Sequence, residues 1–157
     1  MSTVPLTVVG AEKMRQAEIL EVYKFKPNKT HILDGQVPGI IQQAVQFMNV
    51  NDKANAERAF LHALAVDPIS SKTNYILAYF YISVREIARG EEYLNKALSI
   101  FPEFPDANFM MAQMQFLKKN YIGAKGYNDK CLSIDPKHPE ALDLKEKLIN
   151  KFDNPSN

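Results

Sequence analysis

Acid–base, nucleophilic or metal chemistry in this chain would have to come from three histidines, one cysteine and 18 carboxylates. Their spacing supports none of it. His31 falls in a Pro/Gly-punctuated string, His62 inside a helical pattern and His138 at a junction between helical patterns. No HxxxH, HExxH or second cysteine brings two ligands to one metal. Cys131 stands where the equivalent strings have Ala63 and Ala97, and reads as a buried small hydrophobe rather than a nucleophile. No GxxxxGK[ST] or GxGxxG loop is present to cradle a phosphate, and no GxSxG elbow to expose a serine. The residues predict no enzyme, no metal and no cofactor.

Composition narrows the remaining classes. With 157 residues, 46% hydrophobic and 24% charged, the chain is long enough for one globular domain and too apolar for wholesale disorder. Lys+Arg 19 against Asp+Glu 18 leaves a net +1, too little field to hold a polyanion, so nucleic acid is excluded as the main partner. Met1 to Gly10 has neither a basic start nor a long apolar stretch, and no 18-residue apolar run follows. The expectation is a cytoplasmic protein with no membrane insertion, and the lone cysteine fits a reducing compartment.

The informative pattern is a repeat. Pro68, Pro102 and Pro136 close the strings LHALAVDP, LNKALSIFP and NDKCLSIDP at a spacing of 34 residues. With the prolines at position 32, the units are 37–70, 71–104 and 105–138. Position 8 is then Ala44, Ala78 and Ala112; position 20 is Ala56, Gly90 and Ala124; position 27 is Ala63, Ala97 and Cys131. Small residues at these columns are what two closely packed antiparallel helices require. Helices are predicted at about 38–50, 53–66, 71–84, 87–100, 105–118 and 121–134, with a closing helix over 139–152 and a frayed tail at 153–157. Gly123 and Gly126 weaken the sixth of these by about 1 kcal/mol each.

These columns resemble the tetratricopeptide repeat, which implies an all-α fold, a right-handed superhelical solenoid of antiparallel helix pairs. The sequence departs from the family at position 4, where Ile40, Asn74 and Asn108 replace the frequent Trp, and at position 15, where Asn51, Arg85 and Lys119 replace the frequent Gly. The resemblance further implies that positions 2, 5, 9, 12 and 13 of each first helix line a concave groove. Those positions are Pro38, Ile41, Val45, Met48 and Asn49; Lys72, Tyr75, Tyr79, Ile82 and Ser83; and Asp106, Phe109, Gln113, Phe116 and Leu117.

Such a groove is apolar and aromatic, and exposed apolar patches of that kind mark binding sites. It implies a protein or peptide partner whose apolar side chains dock among the tyrosines and phenylalanines, with the chain as an adaptor or dedicated chaperone. Positions at which relatives grip a chaperone's C-terminal carboxylate hold Ile41, Val45, Ile76, Asp106 and Met110, none a cationic donor, so that mode is excluded. The plan is similar to that of chaperones for translocators of type III secretion.

Residues 1–36 form a separate segment. Ala11 to Lys24 carries Met14, Ala17, Ile19, Leu20, Val22 and Tyr23, one broad apolar face if helical, followed by the extended string FKPNKTHILDGQVPG. A lone helix of that length is marginal in water, so it must cap the solenoid, mediate assembly or lie across the groove. The alternative function is therefore a self-assembling homo-oligomeric scaffold, its groove filled by its own or a neighbour's N-terminal segment. Within this segment VPLTVVGAEKMRQ is similar to the opening of GreA-type transcript-cleavage factors; FKPNKTHILDGQ follows in place of their coiled coil and acidic tip, so no RNA-cleavage activity is implied.

Overall fold

A computed structural model describes residues 37–154, which are all-helical. Seven helices are described: α1 (Val37–Asn49), α2 (Lys53–Val66), α3 (Ser71–Ser83), α4 (Ile87–Ile100), α5 (Pro105–Leu117), α6 (Tyr121–Ile134) and α7 (Pro139–Asp153). The expected N-terminal helix over 11–24 and the GreA-like string lie outside the described residues. Helices pair as α1/α2, α3/α4 and α5/α6, and α7 packs on α6 and α5. The last helix runs one residue further than predicted. The chain divides into two compact units at Ile100/Phe101.

Local chemistry sets every turn inside a pair. The amides of Asn51 and Asp52 donate to the carbonyls of Met48 and Phe47, and the same two bonds recur from Arg85 and Glu86 to Ile82 and Tyr81, and from Lys119 and Asn120 to Phe116 and Gln115. This is the Schellman pattern, which needs a left-handed residue after the helix. Asn51, Arg85 and Lys119 supply it, with φ of 60°, 71° and 63°. The next residue begins the second helix: Asp52 accepts from the Asn55 amide and Asn120 from the Gly123 amide. One tight turn thus ends a helix and caps its partner, forcing an antiparallel hairpin.

Asparagine at position 4 has a matching role. Asn74 donates its side-chain amide to the Ser70 carbonyl, and Asn108 donates to the carbonyls of Pro102 and Phe104. Both are buried; the Ser70 and Phe104 carbonyls also accept the backbone amides of Asn74 and Asn108, so the side chains add a second bond there, and Asn108 alone reaches back to the Pro102 carbonyl.

In the first unit α3 is buried nearly all round, and Phe80 packs between Phe60 and Tyr81 with ring centroids 5.0 and 5.2 Å apart. Gly90 of α4 fills the small column against Ala78 and Ile82: a Cβ there would lie 2.5 Å from Ile82 Cγ1 and 3.2 Å from the Ala78 carbonyl oxygen. Tyr81 stacks on Tyr93 and donates its hydroxyl to Glu57 at 2.7 Å. Burial, and then the Glu57 carboxylate, push the Tyr81 phenol well above its usual value, so it remains a donor.

In the second unit Ala112, Ala124, Leu144 and Leu148 form one core cluster, flanked by Phe109, Phe116, Tyr121 and Tyr127, and Met110, Met111 and Met114 are buried as well. Cys131 is fully buried at the small column. Burial, with Asp106, Asp135 and Glu140 adding, raises its thiol to about 12, so it is no thiolate nucleophile at neutral pH.

Candidate peptide-binding groove

The first helix of each pair carries the positions expected to line a groove, and their burial differs between the two units. On α1, Ile41 and Val45 are 0% exposed and Met48 is buried, while Pro38 is half-buried and Asn49 open. On α3, Tyr75 is 8% exposed and Tyr79 half-buried, their rings meeting edge-on at 6.5 Å; Lys72 is half-buried beside them. Two α3 positions serve packing instead of the groove. Ile82 is spent on the close approach to Gly90, and Ser83 is buried with its hydroxyl donating to the Phe80 carbonyl.

In the second unit the same positions are open to a greater degree. Asp106, Phe109, Gln113 and Phe116 are half-buried and Leu117 is exposed. Phe116 leans on the Tyr121 ring at 5.2 Å and Phe109 on the His138 ring at 5.1 Å. The surface offered by α5 is thus two aromatic faces, one neutral amide and one carboxylate. That set suits apolar side chains of an extended segment, with Gln113 and Asp106 able to pair with its backbone amides.

His138 organises the carboxylate end. It precedes α7 at the position that Ser70 holds before α3, and its Nδ1 accepts from the Ala141 amide as the helix cap. In the neutral ring Nε2 therefore carries the proton and donates to Asp106 Oδ1 at 2.8 Å, whereas in the protonated ring Nδ1 gives up the Ala141 bond and its N–H faces the Glu140 carboxylate 3.4 Å away. Burial of the ring opposes a positive charge, but the Asp106 hydrogen bond and the carboxylates of Asp106, Glu140 and Asp135 outweigh it and raise the histidine pKa. The sequence placed His138 only at a junction; its equivalence to Ser70 in the repeat frame was the available signal for a capping role. The helix exterior also holds features absent from that reading: Leu142, Ile149 and Phe152 of α7 are exposed beside its charged residues.

Positions 41, 45, 76, 106 and 110 hold no cation, and Ile76 and Met110 are buried, so no carboxylate clamp is built there. Among the described residues no group of three or more His, Cys, Asp or Glu could hold a metal ion, and no helix is long and apolar enough to cross a membrane.

No curated protein matches the chain. The α3/α4 pair with its flanking turn, residues 71–104, matches the family model of the tetratricopeptide repeat, and the paired all-helical fold around it is of the kind consistent with protein–protein interaction or scaffolding.

Proposed function

We propose that the chain is a non-catalytic interaction module that binds an apolar segment of a partner protein along the groove positions of its first helices, as a cytoplasmic adaptor or a dedicated secretion or assembly chaperone. The observation that carries this reading is the half-open aromatic set on α5, Phe109 and Phe116 with Gln113 and Asp106 between and beside them. Tyr79 of α3 offers a comparable ring in the first unit. Aromatic rings with few rotors and partly wet surroundings are the usual anchors of such interfaces. In the first unit, Ile41, Val45, Met48, Asn49, Lys72 and Tyr75 are the remaining positions of the proposed groove set, while Ile82 is left to packing against Gly90.

The test is quantitative capture from source-cell lysate, comparing the wild type with Tyr79→Lys and Phe109→Lys, each shown by circular dichroism to retain its helicity. One or two proteins held by the wild type and lost from both variants support the groove. Identical profiles would overturn it. A second reading is the self-assembling scaffold, for which the exposed apolar residues Leu142, Ile149 and Phe152 of α7 offer a contact surface. Light scattering across concentration separates the two, since a concentration-independent monomer excludes the scaffold.

A further inference from the structure

We infer, resting on the groove reading above, that the groove of the second unit is polarised: it takes an apolar segment of a partner protein with a cation beyond one end and a carboxylate beyond the other. The two aromatic anchors of α5 have companions of opposite charge. Phe109 meets the His138 ring at 5.1 Å, and two carboxylates face that ring, Asp106 at 2.8 Å from Nε2 and Glu140 at 3.4 Å from Nδ1. Phe116 meets the Tyr121 ring at 5.2 Å, and the Lys151 ammonium lies over the same ring at 5.7 Å. One anchor thus sits beside two acids and the other beside a base.

The surrounding residues extend this order. Gln113, between the anchors, is neutral. Past Phe116 come Lys118 and Lys119, both exposed, and Asn120 stands where the other two hairpin turns have the acids Asp52 and Glu86. On α7, Glu140 and Asp143 belong to the first half of the helix and Lys147 and Lys151 to the second. Contacts at both ends align α7 with α5: the cap His138 meets Asp106 and Phe109, and Lys151 meets the ring that covers Phe116. The acidic end stays negative in either state of the histidine, because one protonated ring offsets only one of the two carboxylates. Both are open to a ligand, with side chains 50% exposed at Asp106 and 65% at Glu140.

Spacing defines the occupant further. Phe109 and Phe116 are seven residues apart on α5, about 10 Å of helix, the reach of about three residues of extended chain. The fitting segment has two apolar side chains at that separation, Lys or Arg beyond the one on Phe109, and Asp or Glu beyond the one on Phe116. A uniformly acidic segment would meet Asp106 and Glu140, and a uniformly basic one Lys151, so like-charge repulsion disfavours both.

Fluorescence anisotropy of the full-length chain with five labelled synthetic peptides tests this. They share a core of two leucines separated by two serines, and their termini are blocked to remove end charges. The flanks are Lys then Glu, Glu then Lys, Lys at both ends, Glu at both ends, or Ser at both ends. The better of the two mixed peptides should bind about fivefold tighter than each of the other three types at low salt, and its lead should shrink in about 0.5 M NaCl. Glu140→Gln should narrow the lead over the all-Glu peptide and Lys151→Gln the lead over the all-Lys peptide, each at unchanged helicity. Equal binding of all five, or tightest binding of a peptide with one sign of charge, would overturn the polarity and leave the groove reading standing. Binding of none, or binding that Phe109→Ala leaves unaffected, would overturn the groove reading and this inference with it.

Discussion

Two glycines in equivalent second helices should respond to alanine with opposite signs. Gly126 of α6 has nothing within 4 Å of an added Cβ, so Gly126→Ala gains only helix propensity, a stabilisation of about 1 kcal/mol. Gly90 of α4 gains the same propensity, but its Cβ would sit 2.5 Å from Ile82 Cγ1, 3.1 Å from Ile82 Cδ1 and 3.2 Å from the Ala78 carbonyl oxygen. Ile82 is fully buried and the carbonyl belongs to α3, so neither can retreat freely. Overpacking of this kind costs about 1–3 kcal/mol, and contact with backbone places it in the upper half of that range. Gly90→Ala is therefore expected to destabilise by about 1–2 kcal/mol net of propensity, some 2–3 kcal/mol away from Gly126→Ala. Urea titration followed by far-UV ellipticity reads both. A double-mutant cycle sharpens the result: with Ile82→Ala in the background the clashing atoms are gone, and Gly90→Ala should cost little or become favourable. If Gly90→Ala stabilises the wild type as Gly126→Ala does, α3 and α4 do not approach at this column and the packing argument fails.

Other outcomes follow from the turns and the histidine. Arg85→Gly and Lys119→Gly relieve a left-handed side chain, worth about 1–2 kcal/mol, against a glycine entropy cost of about 0.5–1; each should raise the urea midpoint slightly while Asn51→Gly leaves it unchanged. Asn108→Ala removes the side-chain donor of the Pro102 carbonyl and the second donor of the Phe104 carbonyl, which keeps the residue 108 backbone amide, and should cost about 1–2 kcal/mol of second-unit stability. His138 has a folded pKa raised above its ordinary 6.5, so its contribution is fully present below that value and is lost as pH rises through the folded pKa. The second unit should thus unfold at higher urea at pH 5.5 than at pH 8, and His138→Asn, which keeps a cap acceptor, should abolish the difference; a chemical-shift titration of the ring reports the pKa directly.

Much of this architecture was readable from the repeat frame because small residues and prolines act locally. Ala44, Ala78 and Ala112, with Ala56, Gly90 and Ala124 opposite, are all buried where the frame put a close helix contact. Position 15 was read as a missing glycine, yet the left-handed turn survives there on Asn, Arg and Lys, since the Schellman bonds and the cap of the next helix over-determine it. The asparagines at position 4 were opaque for a different reason. Their value lies in carbonyls of the preceding turn, whose placement is a tertiary property. Groove burial was opaque too. Ile41 and Phe109 are both apolar at the same column, and only the surroundings make one closed and the other half-open. Ile82 was assigned to the groove by its column and is instead held by Gly90, a contact set by the partner helix.

The most direct test of a partner-binding groove is a footprint with the protein that the wild type captures. Cysteines placed singly at Tyr79, Gln113 and Gln46 would be labelled with and without that partner; Gln46 lies on the exposed side of α1, away from the groove. The account predicts that the partner slows labelling of Tyr79→Cys and Gln113→Cys and leaves Gln46→Cys unchanged. Protection at Gln46→Cys, with the two groove sites unaffected, would contradict it.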